Sequence, residues 1–318
     1  MRTNALIQCM FMLNWRRPLI CASWCLCILT GCERLLSISD PVAGETPIRD
    51  ANASDAPTDA AEEPCPAMQP PGSPLLLSEI VLAPNAGEMI EIVNTSNDDV
   101  DLATYYLSDS GKYYQLPALV PAVDLNDFIV KFPNGAHIPG HTALAVAIAA
   151  AGDFNGNYGA MPAFSVTDAT MIVIAMNSTP QLTNTGEPVI LFQWDGSSDL
   201  VKDVDIMVAG PSTGGTNALP SKSNVAQDGP DADTQTSQYA VDVGSIRAQT
   251  NTPSAGVSTK RLLREGSHEH HDGNGNGTAG DDETSEDTGA TWDGTTANPF
   301  TAPTPGVVPR ELIRCPPP

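Results

Sequence analysis

Positive charge is scarce in this chain. Fifteen lysines and arginines stand against 38 acidic residues over 318 positions, a formal charge of −23. Such a surface repels phosphates, so nucleic-acid binding through a basic patch is excluded. The acidic balance suits solubility, cation binding or a basic partner. No apolar run approaches the roughly twenty residues that a bilayer-spanning helix needs. A G-x-S-x-G elbow, an H-E-x-x-H pair and a phosphate-cradling glycine loop are all absent. Of the five histidines, His137 and His141 merely flank a Pro139-Gly140 turn, a surface arrangement more than a catalytic one. The chain is therefore expected not to be an enzyme.

What is present begins with a targeting signal. Arg2, Arg16 and Arg17 precede the first acidic residue, Glu33. An apolar run follows from Pro18 to Leu29, the length of a cleavable h-region. Met10 or Met12 as the start would leave a more ordinary signal. Arg16-Arg17 also permits a twin-arginine reading, although little of that pattern surrounds it. Leu29-Thr30-Gly31-Cys32 then resembles the lipobox of bacterial lipoproteins. That resemblance implies cleavage between Gly31 and Cys32 and a lipid on the Cys32 thiol. The small residues before the cysteine give the peptidase access to the backbone. The expected site is the cell envelope, with the outer membrane or cell surface favoured.

Processing also simplifies the cysteines. Cys9, Cys21, Cys25 and Cys27 leave with the signal and Cys32 is lipidated, so only Cys65 and Cys315 remain. An even pair in an oxidising compartment is expected to form a disulfide. Closing so long a loop stabilises a fold by about 5 kcal/mol in the chain-entropy model. Losing Arg2, Arg16 and Arg17 leaves 12 basic against 38 acidic residues, a formal charge of −26. Residues 32–74 read as a tether rich in Ala, Pro, Asp, Glu and Thr, too poor in aliphatics to fold. Its prolines and like charges favour an extended spacer.

From Leu75 the texture changes to short β-type runs separated by Gly, Pro, Asn and Asp. Strands are expected at Leu75–Leu82, Glu88–Val93, Met171–Ala175, Pro188–Trp194 and Val201–Val208. Ala143–Ala149 fits a strand or a helix. In the last strand, Val204, Ile206 and Val208 are expected on one face, with Asp203, Asp205 and Met207 on the other. Tyr239, Val241 and Val243 alternate again. With almost no 3.6-residue period, the pattern argues for an all-β sandwich. Polar stretches near 210–238 and 266–294 read as long surface insertions, and 309–318 as a C-terminal tail.

Several motifs occur in a recognisable order. Ser78-Glu79 closes one strand, and Glu88 to Asn94 forms an acidic-aliphatic strand. Asp101-Leu102 leads to Leu107-Ser108-Asp109, and Ile138-Pro139-Gly140 precedes an apolar strand. Asn184-Thr185-Gly186-Glu187 turns into Val189–Phe192. Ser258-Thr259-Lys260-Arg261, Asp287, Trp292 and Thr304-Pro305-Gly306 close the series. The set resembles the lamin-tail domain, and the resemblance runs from about Leu75 to Gly306. It implies an immunoglobulin-like β-sandwich over 75–308. Tyr105 or Tyr106 stands where the family usually has tryptophan. The function implied is a non-catalytic surface module that binds, adheres or builds structure. Its partner is an unnamed protein or polysaccharide. Lamin-tail domains also accompany exported hydrolases and nucleases, although no room remains here for a catalytic domain. Glu88 and Glu91 are expected either to face solvent or to be hydrogen-bonded at a turn.

One local pattern suggests a metal. Asp272, Asn274 and Asn276 with Gly277, followed by Glu283 at the twelfth position, fit an EF-hand-type Ca²⁺ loop. Against it, no amphipathic helix flanks the loop and Ala279 fills a position usually held by a larger aliphatic. A Ca²⁺-stabilised envelope protein is the alternative function, with no cofactor otherwise required. His268, His270 and His271 are candidate Zn²⁺ or Cu²⁺ ligands, or an incidental cluster in a polar loop. Asp153 to Asn157 reads as a turn between strands. The carboxylates of Asp228, Asp231 and Asp233 read as surface groups.

Overall fold

Short alternating or continuous apolar runs form strands because their side chains pack on a pleated surface. The computed structural model describes residues 73–118, 121, 123–210, 220–242, 249–270 and 282–313. Its strands are β1 (Leu75–Val81), β2 (Met89–Asn94), β3 (Val100–Asp101), β4 (Tyr105–Ser108), β5 (Phe128–Lys131), β6 (His137–Ile138) and β7 (Ala143–Ala147). They continue with β8 (Phe164–Ser165), β9 (Ile172–Met176), β10 (Pro188–Gln193), β11 (Lys202–Val208), β12 (Ala226–Gln227), β13 (Ser237–Gln238) and β14 (Thr259–Lys260). The fold is all-β. Two five-stranded sheets run in the orders β14-β1-β2-β7-β8 and β11-β10-β4-β5-β9. The pairings within them are antiparallel except β7 with β8.

The two sheets meet through one apolar cluster. Leu77, Ile80, Ile90, Ile92 and Val146 of the first sheet pack with Leu107, Phe128, Val130, Val189 and Leu191 of the second. Trp292 lies in the same cluster, fully buried. Each such side chain, fully buried, contributes roughly 1.5–3 kcal/mol. The ambiguous alanine run at 143–147 is a strand because β2 pairs along its whole length.

Strict alternation fails in β11. Val204 and Met207 face the shared core, while Ile206 and Val208 face the outer side of the second sheet. The cause is a bulge. Leu191 pairs with Asp205 but Phe192 pairs with Asp203, so one residue of β11 is skipped. An extra residue of this kind flips the face on which every later side chain lies.

The outer faces are also covered. Tyr106, Ile190, Phe192, Ile206 and Val208 pack beneath Tyr113, Tyr114, Leu116 and Tyr239. Residues 220–238, expected within a surface insertion, thus bring Val225 against a second core, and Tyr239 of the expected alternating run is buried in it. Lys222 is fully buried there, paired with Asp203 and 3.1 Å from the Tyr113 hydroxyl. The expected turn at Asp153 to Asn157 is instead a helix, α1 (Ala151–Tyr158), ended by left-handed Gly159. Its Phe154 packs on Val81 and Met89, a tertiary contact that outweighs the helix-weakening Gly and Asn. At the far end, Leu312 in the short helix α2 (Arg310–Ile313) packs on Leu76 and Val93.

The Pro139-Gly140 turn is tightly held. The His141 N–H donates to the Ser96 carbonyl, and Asn94 Nδ2 donates to the carbonyls of Asp98 and Ile138. A Cβ on Gly140 would sit 2.3 Å from the Asn97 carbonyl oxygen and 2.9 Å from that of Ser96. Backbone atoms cannot swing aside as a side chain can. Gly140→Ala is therefore expected to destabilise the fold by about 1–3 kcal/mol, read as a lower urea midpoint. An unchanged midpoint would mean that the turn yields.

Candidate functional site

Two groups of buried carboxylates stand out, and they differ in how their charge is met. The first surrounds Arg261, which follows β14. Asp205 of β11 and Arg261 clamp one residue of β1 between them. The Leu77 N–H donates to Asp205 Oδ2 at 2.6 Å, and Arg261 Nε donates to the Leu77 carbonyl at 2.8 Å. Arg261 Nη2 donates to Asp205 Oδ1, and Nη1 donates to Glu286 Oε1 at 2.9 Å. Glu265 Oε1 lies 3.1 Å from Nη1, and the guanidinium sits 4.8 Å from the Trp292 ring centre. Burial opposes the Arg261 charge, but Asp205, Glu286 and Glu265 outweigh it and hold its pKa up. Burial pushes Asp205 and Glu286 up as well, against the pull of Arg261.

Glu283, expected as the twelfth residue of a calcium loop, joins this group. Asp205, Glu265 and Glu283 each bring a carboxylate oxygen within 4.8 Å of the others. Glu283 is buried in a one-turn 3-10 segment, Glu283–Ser285. Burial, then the charges of Glu269 and Glu265, push its pKa well above the usual carboxylate range. Its candidate co-ligands Asp272, Asn274 and Asn276 lie outside the described residues, as do Gly31, Cys32, Cys65, Cys315 and His271. Among the described residues, neither His268 nor His270 joins a group of three potential ligands. Asp228 and Asp231 approach Asp199 at an exposed corner.

The second group is Asp109, Asp127 and Glu187, again with oxygens within 4.8 Å of one another. Neither composition nor spacing pointed to it, because its members lie far apart in sequence. Asp109 Oδ1 accepts from the Phe128 N–H at 2.7 Å, and Glu187 Oε2 from the Thr183 N–H at 2.9 Å. Glu88 is close enough to Glu187 for their charges to interact, and its Oε2 accepts from the Leu182 N–H at 3.0 Å. Burial pushes Asp109 well above the usual range and raises Glu88 to about 8 and Glu187 to about 7.

Glu79 and Glu91 have a different task. Glu79 accepts from the Thr304 N–H and the Ser258 hydroxyl, and Glu91 from the Gly306 N–H and the Ser78 hydroxyl. Together they hold the Thr304-Pro305-Gly306 turn against β1 and β2. Burial raises Glu91 to about 7.

No family model matches the chain, and no curated protein does. Among solved structures, it is similar to a DUF4876 family protein from Bacteroides thetaiotaomicron. The identity is 18%, over 75% of this chain and 72% of that one, with a TM-score of 0.36. A likeness that weak defines neither fold family nor activity.

Removing one partner of a buried ion pair leaves uncompensated charge. Arg261→Met is expected to cost about 3–5 kcal/mol in urea denaturation. Arg261→Lys should recover little of it, because one ammonium cannot meet Asp205, Glu286 and the Leu77 carbonyl together. Wild-type stability with Met at 261 would show that the cluster is dispensable. A pH dependence follows from the raised glutamates. The folded pKa values of Glu88, Glu91 and Glu187 lie above the ordinary 4.5, so the native state binds more protons than the unfolded chain. Their stabilisation is full below that value and is lost as pH rises through about 7 to 8. In chelator-treated buffer, urea denaturation should give falling stability between those limits. A rise would contradict the assignment.

Proposed function

We propose that the chain is a membrane-anchored surface lipoprotein displaying a non-catalytic, lamin-tail-like module of the immunoglobulin-like β-sandwich class. The module binds, adheres or builds structure outside the membrane. One observation carries this reading. Several polar residues of the ordered motifs serve the fold's own closure. Glu79 and Glu91 hold Thr304 and Gly306, and Arg261 holds Leu77 and Asp205. The bonds of Glu79, Glu91 and Arg261 are made to backbone, hydroxyls and carboxylates of the fold itself. Glu88 and Glu91, the acidic pair weighed for chemistry, are buried with backbone N–H partners. The anchor rests on Leu29-Thr30-Gly31-Cys32, in register with the basic and apolar segments before it. The acidic stretch after Cys32 is a spacer that carries the module clear of the headgroups.

Cys32→Ala tests the reading. Metabolic labelling with a palmitate analogue should mark the wild-type chain and not the variant. The variant should be released from membranes with an unchanged melting curve. Continued labelling would move the lipid elsewhere, and loss of folding would count against a tether independent of the module. Protease treatment of intact cells reports the surface placement, since a chain facing inward stays uncut.

A further inference from the structure

Antiparallel order brings three strand ends to one edge of the second sheet. β4 lies between β5 and β10. Asp109 follows the end of β4, while Asp127 and Glu187 immediately precede β5 and β10. Because both neighbours run opposite to β4, its exit and their two entries coincide. Three carboxylates distant in sequence are thereby placed within 4.8 Å of one another. Oxygens around a single Ca²⁺, each at 2.3–2.6 Å from the ion, lie at most about 5 Å apart, so the spacing suits one ion.

The cluster is held, but among the described residues no basic side chain pairs with it directly. One backbone N–H fixes each carboxylate: Phe128 for Asp109, Thr183 for Glu187, Leu182 for Glu88, and Asp124 for Asp127 at 3.4 Å. The remaining oxygens are another matter. Asp109 is 1% exposed, and among the described residues its Oδ2 has no hydrogen-bond partner. Glu88 is also 1% exposed, and its Oε1 is likewise unpartnered. A buried, unmet carboxylate oxygen costs free energy unless something arrives to satisfy it. Among the described residues, no lysine or arginine forms an ion pair with Asp109, Asp127, Glu187 or Glu88. Lys112 pairs with exposed Asp124 at 3.1 Å, and at Asp127 its charge acts only from beyond ion-pair distance. The Arg261 cluster is the contrast, because there a guanidinium already occupies the centre.

We propose that Asp109, Asp127 and Glu187 form a Ca²⁺-binding site at this end of the sheet, with Glu88 a neighbour of Glu187. An all-oxygen donor set excludes the nitrogen and sulfur preference of Zn²⁺. Ligands drawn from three separate strand ends suit the irregular coordination of Ca²⁺ better than the strict octahedron of Mg²⁺. The ion ties β4, β5 and β10 together at their common end. This site shares no residue with the Asp272 to Glu283 pattern and needs neither the lipid anchor nor the external ligand of the module.

The test is calorimetric titration of CaCl₂ into the purified full chain after chelator treatment, with melting curves alongside. Binding is expected with a Kd of about 0.1–1 mM, the range of extracellular calcium modules. Tm should rise with calcium and fall again on chelation. Asp109→Asn and Asp127→Asn should each weaken binding about tenfold or more, since charge count tunes affinity. Glu283→Gln should leave that binding unchanged. Asp127 is partly exposed, so its variant keeps the test alive if Asp109→Asn fails to fold. Absence of heat and of any Tm shift up to about 10 mM, well above that range, would overturn the site. So would binding that survives both aspartate variants, or binding lost only in Glu283→Gln. Magnesium matching calcium in affinity would overturn the choice of ion. Stabilisation by Asp109→Asn without calcium, in a chain that ignores calcium, would mean that the cluster holds protons instead.

Discussion

The Arg261 guanidinium joins parts of the chain that are far apart in sequence. It donates to the Leu77 carbonyl in β1, to Asp205 in β11 and to Glu286 in the segment before Trp292, and it stacks on the Trp292 ring. β1 belongs to one sheet and β11 to the other. One side chain therefore pins the two sheets at their shared margin and fixes where the C-terminal segment enters. Asp205 completes the clamp by accepting from the N–H of the same Leu77. A buried ionic cluster is weak evidence of net stability, since desolvation consumes much of its attraction. Its value here is registry. A β1 slipped by one residue would face Arg261 and Asp205 with the wrong backbone groups, as well as turning its apolar face outward.

The other buried carboxylates follow a division of labour. Glu79 and Glu91 are matched by hydroxyls and by N–H groups of the turn at 304–306, so they act as clasps. Asp203, on the outer side of the bulged strand, is met by Lys222 and Tyr113 and anchors the covering segment. Asp109, Glu88 and Glu187 have backbone partners on one oxygen and, among the described residues, no basic side chain paired with them. That imbalance separates a candidate ion site from an internal brace, more than acidity alone does.

Much of the sheet pattern was legible because it is local. The runs at Leu75, Met89, Pro188 and Lys202 carry enough aliphatic residues that no other structure suits them. α1 was not legible. Gly152, Asn155, Gly156 and Asn157 argue for a turn, and tertiary contacts make a helix of them: Phe154 seats on Val81 and Met89, and Asn157 and Tyr158 donate to the carbonyls of Ala86 and Gly87. β5 was missed as well, since four residues at Phe128 show no period of their own and gain their register from β4 and β9. In β11 the alternation misassigned Ile206 and Val208 relative to Val204, because a bulge is a property of the pair of strands and not of either one.

Sequence alone determined the all-β texture and the ordered polar motifs, and the expectations of a signal, a lipobox at Cys32 and an acidic spacer rest on it alone. Each is written in contiguous residues or in composition. The tertiary structure decided which charged groups meet. Glu283, expected as a calcium-loop ligand, lies beside Asp205 and Glu265, while Asp109, Asp127 and Glu187 converge from strands separated along the chain. Antiparallel pairing sets those meetings. Strand order lies outside any local window, and it alone puts the exit of β4 beside the entries of β5 and β10.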